Sequence, residues 1–225
     1  MFTASDEWKR RYPGSAVGFL ALTGVSNPEE HPVLDQRKVD LEEQLRARYA
    51  GYDRAALREL PRLQAYHAYY KRFKKTYHVQ LQLESILLKD KAIPRVAALV
   101  ESMFMAELKN LLLTAGHDLA IVEPPVGIDV AGGSERFVRL NGQEQQLKSR
   151  DMYIADAEGV LSSVIYGPDQ RTSIQSGTER VLFTVYAPQG IGKDAVQQHL
   201  EDIRDNVLLF APAAETLSLV VLGTE

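Results

Sequence analysis

Between Pro94 and Thr172 the hydrophobic period of the chain changes, and that change limits the available folds more than any other feature. From Pro94 to Ala115 the apolar residues Val96, Leu99, Val100, Met103, Phe104, Leu108, Leu111 and Leu112 follow the i, i+3, i+4, i+7 stripe of an amphipathic helix. Roughly 21 residues at 1.5 Å each predict a rod of about 30 Å, long enough to cross a domain. Gly116 stands where a left-handed C-terminal cap belongs, before His117 and Asp118. Beyond it the pattern becomes short strands separated by Gly132-Gly133, Asn141-Gly142, Glu158-Gly159 and Gly167-Pro168-Asp169. The expected strands are 128–130, 136–140, 152–155, 160–166 and 181–186. Asn141-Gly142 predicts a hairpin with a type I′ turn. One long helix followed by several short strands predicts an α+β fold.

The flanking segments fit that architecture. Residues 16–24 are an apolar run closed by Gly24, which predicts a buried strand. Val33 to Tyr52 is amphipathic through Leu41, Leu45 and Tyr49, and Gly51 ends it. Asp53 is placed to cap a further helix running from Arg54 to about Lys75, interrupted or restarted at Pro61. Gln80 to Lys89 reads equally as helix or strand. Asp194 to Leu209 predicts a helix and 217–222 a closing strand. The expected whole is a single domain over residues 1–225: mainly antiparallel sheet, with a long central helix and flanking helices.

Composition narrows the function classes. The 225 residues contain no cysteine, which removes disulfides, a thiolate nucleophile and cysteine-ligated zinc. The five histidines, at 31, 67, 78, 117 and 199, show no close metal-ligand spacing, so no metal and no cofactor is expected. No apolar run approaches the roughly 18–20 residues of a membrane span. The first residues lack the basic and apolar regions of a secretory signal, so a cytoplasmic location is expected. The net charge of −4 advertises no global attraction to nucleic acid. Any RNA contact falls to a local patch. The segment from Tyr66 to His78 interleaves aromatics with Lys71, Arg72, Lys74 and Lys75, a composition suited to phosphate contact and base stacking. The same pattern also describes a solvated basic face with its aromatics turned inward.

Several side chains offer chemistry. His117, read as following a helix C-terminus, feels the negative end of the dipole and serves as a general base or as a capping group. Gly132 and Gly133 allow close backbone approach, and Glu135 next to them is an acceptor for an ammonium or a water, or an exposed turn acid. Neither this turn nor Gly190–Lys193 is a phosphate-cradling loop. Asp169 stabilises a turn, and Arg171 is suited to a phosphate or a carboxylate. No Gly-x-Ser-x-Gly elbow and no His-Glu-x-x-His pair occurs.

Three stretches together resemble the editing, tRNA-binding domain of the phenylalanyl-tRNA synthetase beta subunit, in free-standing form. They are Leu99-Val100-Glu101 through Gly116-His117-Asp118-Leu119, then Gly133-Ser134-Glu135 through Leu140-Asn141-Gly142, then Met152-Tyr153-Ile154-Ala155-Asp156 with Gly159. The resemblance spans roughly residues 15–220. It implies trans-acting hydrolysis of the ester of a mischarged aminoacyl-tRNA, with tRNA or aminoacyl-tRNA as partner. It implies a pocket with Glu135 reading the amino group, His117 positioning water, and Gly132, Gly133, Asn141, Asp156 and Arg171 around the substrate. Lacking adenylate-forming motifs, the chain is not expected to charge tRNA by itself. Ser162 to Pro168 replaces a Gly-Gly-rich turn of that family and alters one wall of the expected pocket. The alternatives are a non-catalytic module that binds RNA or an amino acid, and an unrelated small-molecule enzyme on the same fold.

Overall fold

The computed structural model describes residues 2–224. In chain order the elements are β1 (Phe2–Ala4), α1 (Asp6–Arg11), β2 (Ala16–Thr23), α2 (Pro32–Arg48), α3 (Arg54–Arg58), α4 (Pro61–Lys71), α5 (His78–Lys89), α6 (Ala98–Asn110), β3 (Leu113–Asp118), β4 (Val126–Val130), β5 (Arg136–Val138), β6 (Glu144–Gln146), β7 (Met152–Ala155), β8 (Val160–Ser163), β9 (Gly167–Pro168), β10 (Arg180–Ala187), α7 (Lys193–Leu208) and β11 (Glu215–Gly223). They form a four-stranded sheet in the order β11-β2-β10-β3, a five-stranded sheet β1-β4-β7-β8-β9, and a two-stranded ribbon β5-β6. Every pairing is antiparallel except β1 with β4.

The four-stranded sheet is buried through its two central strands. Seven of the eight residues of β2 are buried, and so are seven of the eight of β10. This is the continuous apolar run of a strand covered on both faces. Helix α7 buries Val196, Leu200, Ile203 and Val207, one stripe at helical spacing, against the sheet and α6. Gly18 in β2 marks where α7 comes closest: a Cβ there would lie 2.6 Å from Val196 Cγ1 and 2.9 Å from Leu200 Cδ1. Its absent side chain sets the helix-to-sheet distance.

The expected rod from 94 to 115 is a correction. Helix α6 has 13 residues, about 20 Å, and stops at Leu111, which takes the left-handed conformation at φ 59° and donates its N–H to Glu107 O. Leu112 to Ala115 prolong the apolar pattern because they enter β3, a buried strand that a helical stripe imitates. Gly116 therefore caps no helix. It lies mid-strand, where a Cβ would meet Ile174 Cδ1 at 2.7 Å. His117 is likewise a strand residue, far from the helix C-terminal dipole invoked for it.

Two smaller expectations change as well. Segment 78–89 resolves as helix. The hairpin at Asn141-Gly142 forms, but only Gly142 has positive φ (78°), with Gly142 N–H donating to Arg139 O at 2.8 Å and Arg139 N–H to Gln143 O at 2.9 Å. That is a turn followed by a left-handed glycine bulge, not type I′.

The aromatics of the basic segment lie in the core. Tyr66, Tyr69 and Tyr70 on α4 are buried; Tyr66 donates to Tyr186 O, Tyr69 to Asp151 Oδ1 at 2.7 Å, and Tyr70 to Val164 O at 2.7 Å. A single helix thus ties both sheets together through three phenol hydroxyls. Lys71, Arg72, Lys74 and Lys75 stay exposed at its end. The result is one α+β domain with antiparallel-rich sheets.

Candidate functional site

Strand β3 positions His117 opposite Leu182 of β10, and the ring is fully buried. The irregular segment 169–179 runs along the outer side of β3, held by Asp118 N–H to Thr172 O at 2.7 Å and by Thr178 Oγ1 to Asp118 Oδ2 at 2.7 Å. This segment brings Thr172 and Asp169 to the histidine. Thr172 Oγ1 donates its one proton to Asp169 Oδ1 and lies 2.8 Å from His117 Nδ1. A hydroxyl that has given its proton away can only accept, so Nδ1 carries a hydrogen, and in the neutral ring Nε2 is the nitrogen left without one. Nε2 is buried and has no hydrogen-bond partner among the described residues. Asp169 Oδ1 itself lies 3.8 Å from Nδ1. The arrangement is an imidazole oriented by a hydroxyl with a carboxylate behind it, the order of a triad with a threonine interposed.

Arg171 extends this cluster. Its Nε lies 3.7 Å from Asp169 Oδ2, its Nη2 2.8 Å from Asp156 Oδ1 and its Nη1 3.1 Å from Glu158 Oε2. Asp156 is the hub of the β7–β8 turn and also accepts from the N–H groups of Glu123, Glu158 and Gly159. Burial pushes its carboxyl up, but these N–H bonds and Arg171 outweigh it and hold the group below the usual carboxylate range. The fold thus brings His117, Asp156 and Arg171 into one connected network.

Glu135 belongs elsewhere. Its Oε1 accepts from Gly132 N–H at 2.9 Å, and its Oε2 from Gly133 N–H at 2.9 Å and Ser134 N–H at 3.1 Å. Burial works against ionisation, yet these turn N–H groups keep the carboxyl lowered. The side chain closes its own turn, and the geometry joins it by no hydrogen bond or ion pair to His117 among the described residues. Asn141 sits at the exposed hairpin tip, bonded to Gln143. The hairpin does touch the histidine network at its stem, through Gln170 N–H to Val138 O at 2.8 Å and a bridge between Arg139 and Asp169. The basic end of α4 meets the β8–β9 turn and the segment after β6: Lys75 lies over the Tyr166 ring at 5.5 Å, and Lys148 donates to Phe73 O at 3.3 Å.

Asp169 and Thr172 are the residues whose weight sequence reasoning missed. After Gly167-Pro168, Asp169 reads as a turn former and Thr172 only as one polar residue near that turn, and nothing local signals that the turn folds back over β3.

The comparisons bear on the family. A model of the B3/4 domain matches residues 63–203. Among solved structures, the chain is similar to an N-terminal fragment of the phenylalanyl-tRNA synthetase beta subunit from Pyrococcus horikoshii, at 12% identity and a TM-score of 0.52. That alignment covers 96% of this chain and 50% of the fragment, so the chain spans about half the fragment's length, and the likeness is one of fold. The C-terminal domain of TILS aligns over 33% of this chain and 69% of its own, at 18% identity and a TM-score of 0.30, too low to support a shared fold. No curated protein matches the sequence. No helix among the described residues is long and apolar enough to cross a membrane. The domain model covers well over half of the 225 residues, and the chain belongs to the B3/4 domain family.

Proposed function

We propose that the protein acts in trans on aminoacyl-tRNA, hydrolysing the ester that joins a wrong amino acid to the terminal ribose. The observation that carries this reading is the His117–Thr172–Asp169 relay, which leaves Nε2 as a free acceptor. Nε2 takes a proton from water, the water oxygen attacks the ester carbonyl, and the carbonyl carbon–ribose oxygen bond breaks. The proton passes to the departing hydroxyl. An activated ester needs only an oriented water and a base, so no covalent nucleophile is required. Arg171, paired with Asp156, Glu158 and Asp169, steadies the carboxylate end of the relay. Glu135, with Gly132, Gly133 and Asn141, lines the hairpin side, where the amino acid would be read. Lys71, Arg72, Lys74 and Lys75, exposed at the end of α4, hold RNA phosphates. His117 is fully buried, so substrate entry requires a local opening that leaves Thr172 and Asp169 in place behind the ring.

The test is single-turnover deacylation of a panel of mischarged tRNAs by the wild type and by His117→Ala, Thr172→Val, Asp169→Asn and Glu135→Gln. Loss of a general base lowers the rate about 10²- to 10⁴-fold in His117→Ala. Thr172→Val and Asp169→Asn reduce it less and shift its pH profile. Absence of turnover by the wild type on every member removes the reading. One observation favours a second reading, a non-catalytic module that binds tRNA or an amino acid: His117 is 0% and Asp169 3% exposed. Saturable tRNA binding without turnover selects it.

A further inference from the structure

We propose that the cavity where α2, α4 and α6 converge binds a phosphate group. The cavity encloses about 250 Å³ and is lined by Arg48, Arg62 and Lys109, with Tyr49, Leu60 and Leu111 as its apolar wall. No carboxylate lines it. Arg48 and Arg62 take part in no ion pair among the described residues. The Arg48 guanidinium lies 5.3 Å over the Tyr49 ring, and Arg62 Nη1 donates to Asn110 O at 2.7 Å. Most of the forked N–H donors of both arginines are therefore uncommitted. Lys109 is partly neutralised by Asp202 at 2.8 Å, which faces a neighbouring cavity.

Cations near helix C-termini ordinarily complement the dipole, and Arg62 does cap α6 in this way. That role accounts for each charge singly. It does not account for three of them around one concavity with no acid among its walls, in a chain whose net charge is −4. Like charges gathered in a hollow repel unless an anion sits between them. Two guanidinium forks and an ammonium suit the tetrahedral oxygens of phosphate, and the Tyr49, Leu60 and Leu111 wall suits the organic body of a phosphate ester. The phosphate belongs either to a free monoester such as a nucleotide or to the backbone of RNA. The site is separate from the His117 network and does not depend on the deacylation reading.

The experiment is titration calorimetry at constant ionic strength with inorganic phosphate, adenosine 5′-monophosphate, and a short RNA lacking terminal phosphates. The proteins are the wild type, Arg48→Gln, Arg62→Lys and, as an off-site control, Lys9→Gln, an exposed cation on α1. Saturable phosphate binding is expected in the wild type and in Lys9→Gln, weakened on the order of ten- to a hundredfold in Arg48→Gln. Arg48 is exposed and holds no backbone group, so its replacement leaves the fold intact; thermal melting verifies this. Arg62→Lys keeps the charge and loses the fork, and weakens binding too. Tighter binding of the monophosphate assigns the site to a free ester; tighter binding of the RNA, abolished in Arg48→Gln, assigns it to the backbone. No saturable heat with any probe, or affinities unchanged within twofold in both arginine variants, overturns the proposal.

Discussion

Glu107 sits at the junction of α6 and β3 with 1% of its surface exposed. Its Oε1 accepts from Thr114 N–H at 2.7 Å, and its Oε2 has no partner among the described residues. No cation among the described residues pairs with it. Burial pushes its carboxyl up from 4.5 to about 8, with the Thr114 bond a smaller opposing effect. The folded protein therefore binds this proton more tightly than the unfolded chain does. Its contribution is fully favourable below pH 4.5 and is lost as pH rises through about 8. At about 1.4 kcal/mol per pH unit, the loss across that window approaches 5 kcal/mol, comparable to the whole stability of many domains. Glu107→Gln keeps the Thr114 bond and cannot ionise. Urea unfolding of the wild type and Glu107→Gln at pH 5, 6.5 and 8 gives the difference between them at each pH. Comparing the two proteins cancels every other titration, including that of Asp151, which burial pushes up to about 7. The variant is expected to match the wild type within about 1 kcal/mol at pH 5 and to exceed it by about 3–5 kcal/mol at pH 8. A difference that stays constant from pH 5 to pH 8 refutes the reasoning, since it means the carboxyl is solvated or paired.

Other substitutions probe separate parts of the fold. Gly18→Ala drives a methyl into Val196 and Leu200 and should lower stability by about 1–3 kcal/mol, partly restored by Val196→Ala in the same chain, as read by chemical unfolding. Tyr69→Phe removes the hydroxyl that accepts from Met152 N–H at 2.6 Å and donates to Asp151; two buried groups lose their partner, and a loss of about 2–4 kcal/mol is expected in the same assay. Lys38 is buried between Glu101 at 2.6 Å and Asp35 at 2.9 Å, so Lys38→Met should destabilise by about 3–5 kcal/mol, and adding Glu101→Gln should recover part of it. If the basic end of α4 contacts RNA, neutralising Lys71 and Lys74 together reduces the slope of log affinity against log salt by about 1.4 for single-stranded RNA; an unchanged slope places the contact elsewhere.

Wherever one element matched one periodicity, the sequence revealed it. The run 16–24, the strand 152–155 and the stripe of α7 all appear within a residue or two of their expected bounds, because burial on one or both faces leaves an unambiguous pattern. The boundary between α6 and β3 was not legible. Leu108, Leu111 and Leu112 satisfy a helical stripe, while Leu113 already starts a buried strand, and only the left-handed Leu111 and the following Leu112 separate the two. That error carried His117 with it: a residue expected at a helix end lies instead mid-strand under a covering segment. Helix α1, with Ser5 as its cap, escaped notice because six residues hold too little periodicity to read. The site was half legible. His117, Asp156 and Arg171 do converge, but their convergence depends on a contact between β3 and segment 169–179 more than fifty residues away, which no local pattern encodes. Glu135 stood out as a carboxylate beside two glycines, and its proximity to those glycines is what commits it to their N–H groups.

The order β11-β2-β10-β3 has a practical consequence for anyone dividing this protein. The stretch matched by the family model, 63–203, contains β10 and β3 but neither β2 nor β11. Expressed alone, that piece would leave one whole side of β10 without hydrogen-bond partners, strip α7 of its packing against β2 and β11, and cut off the last turn of α7 itself. Its exposed apolar edge would invite aggregation before any assay began. The span that defines kinship is therefore narrower than the span that folds, and probes of activity should keep the helices and strands on both sides of it.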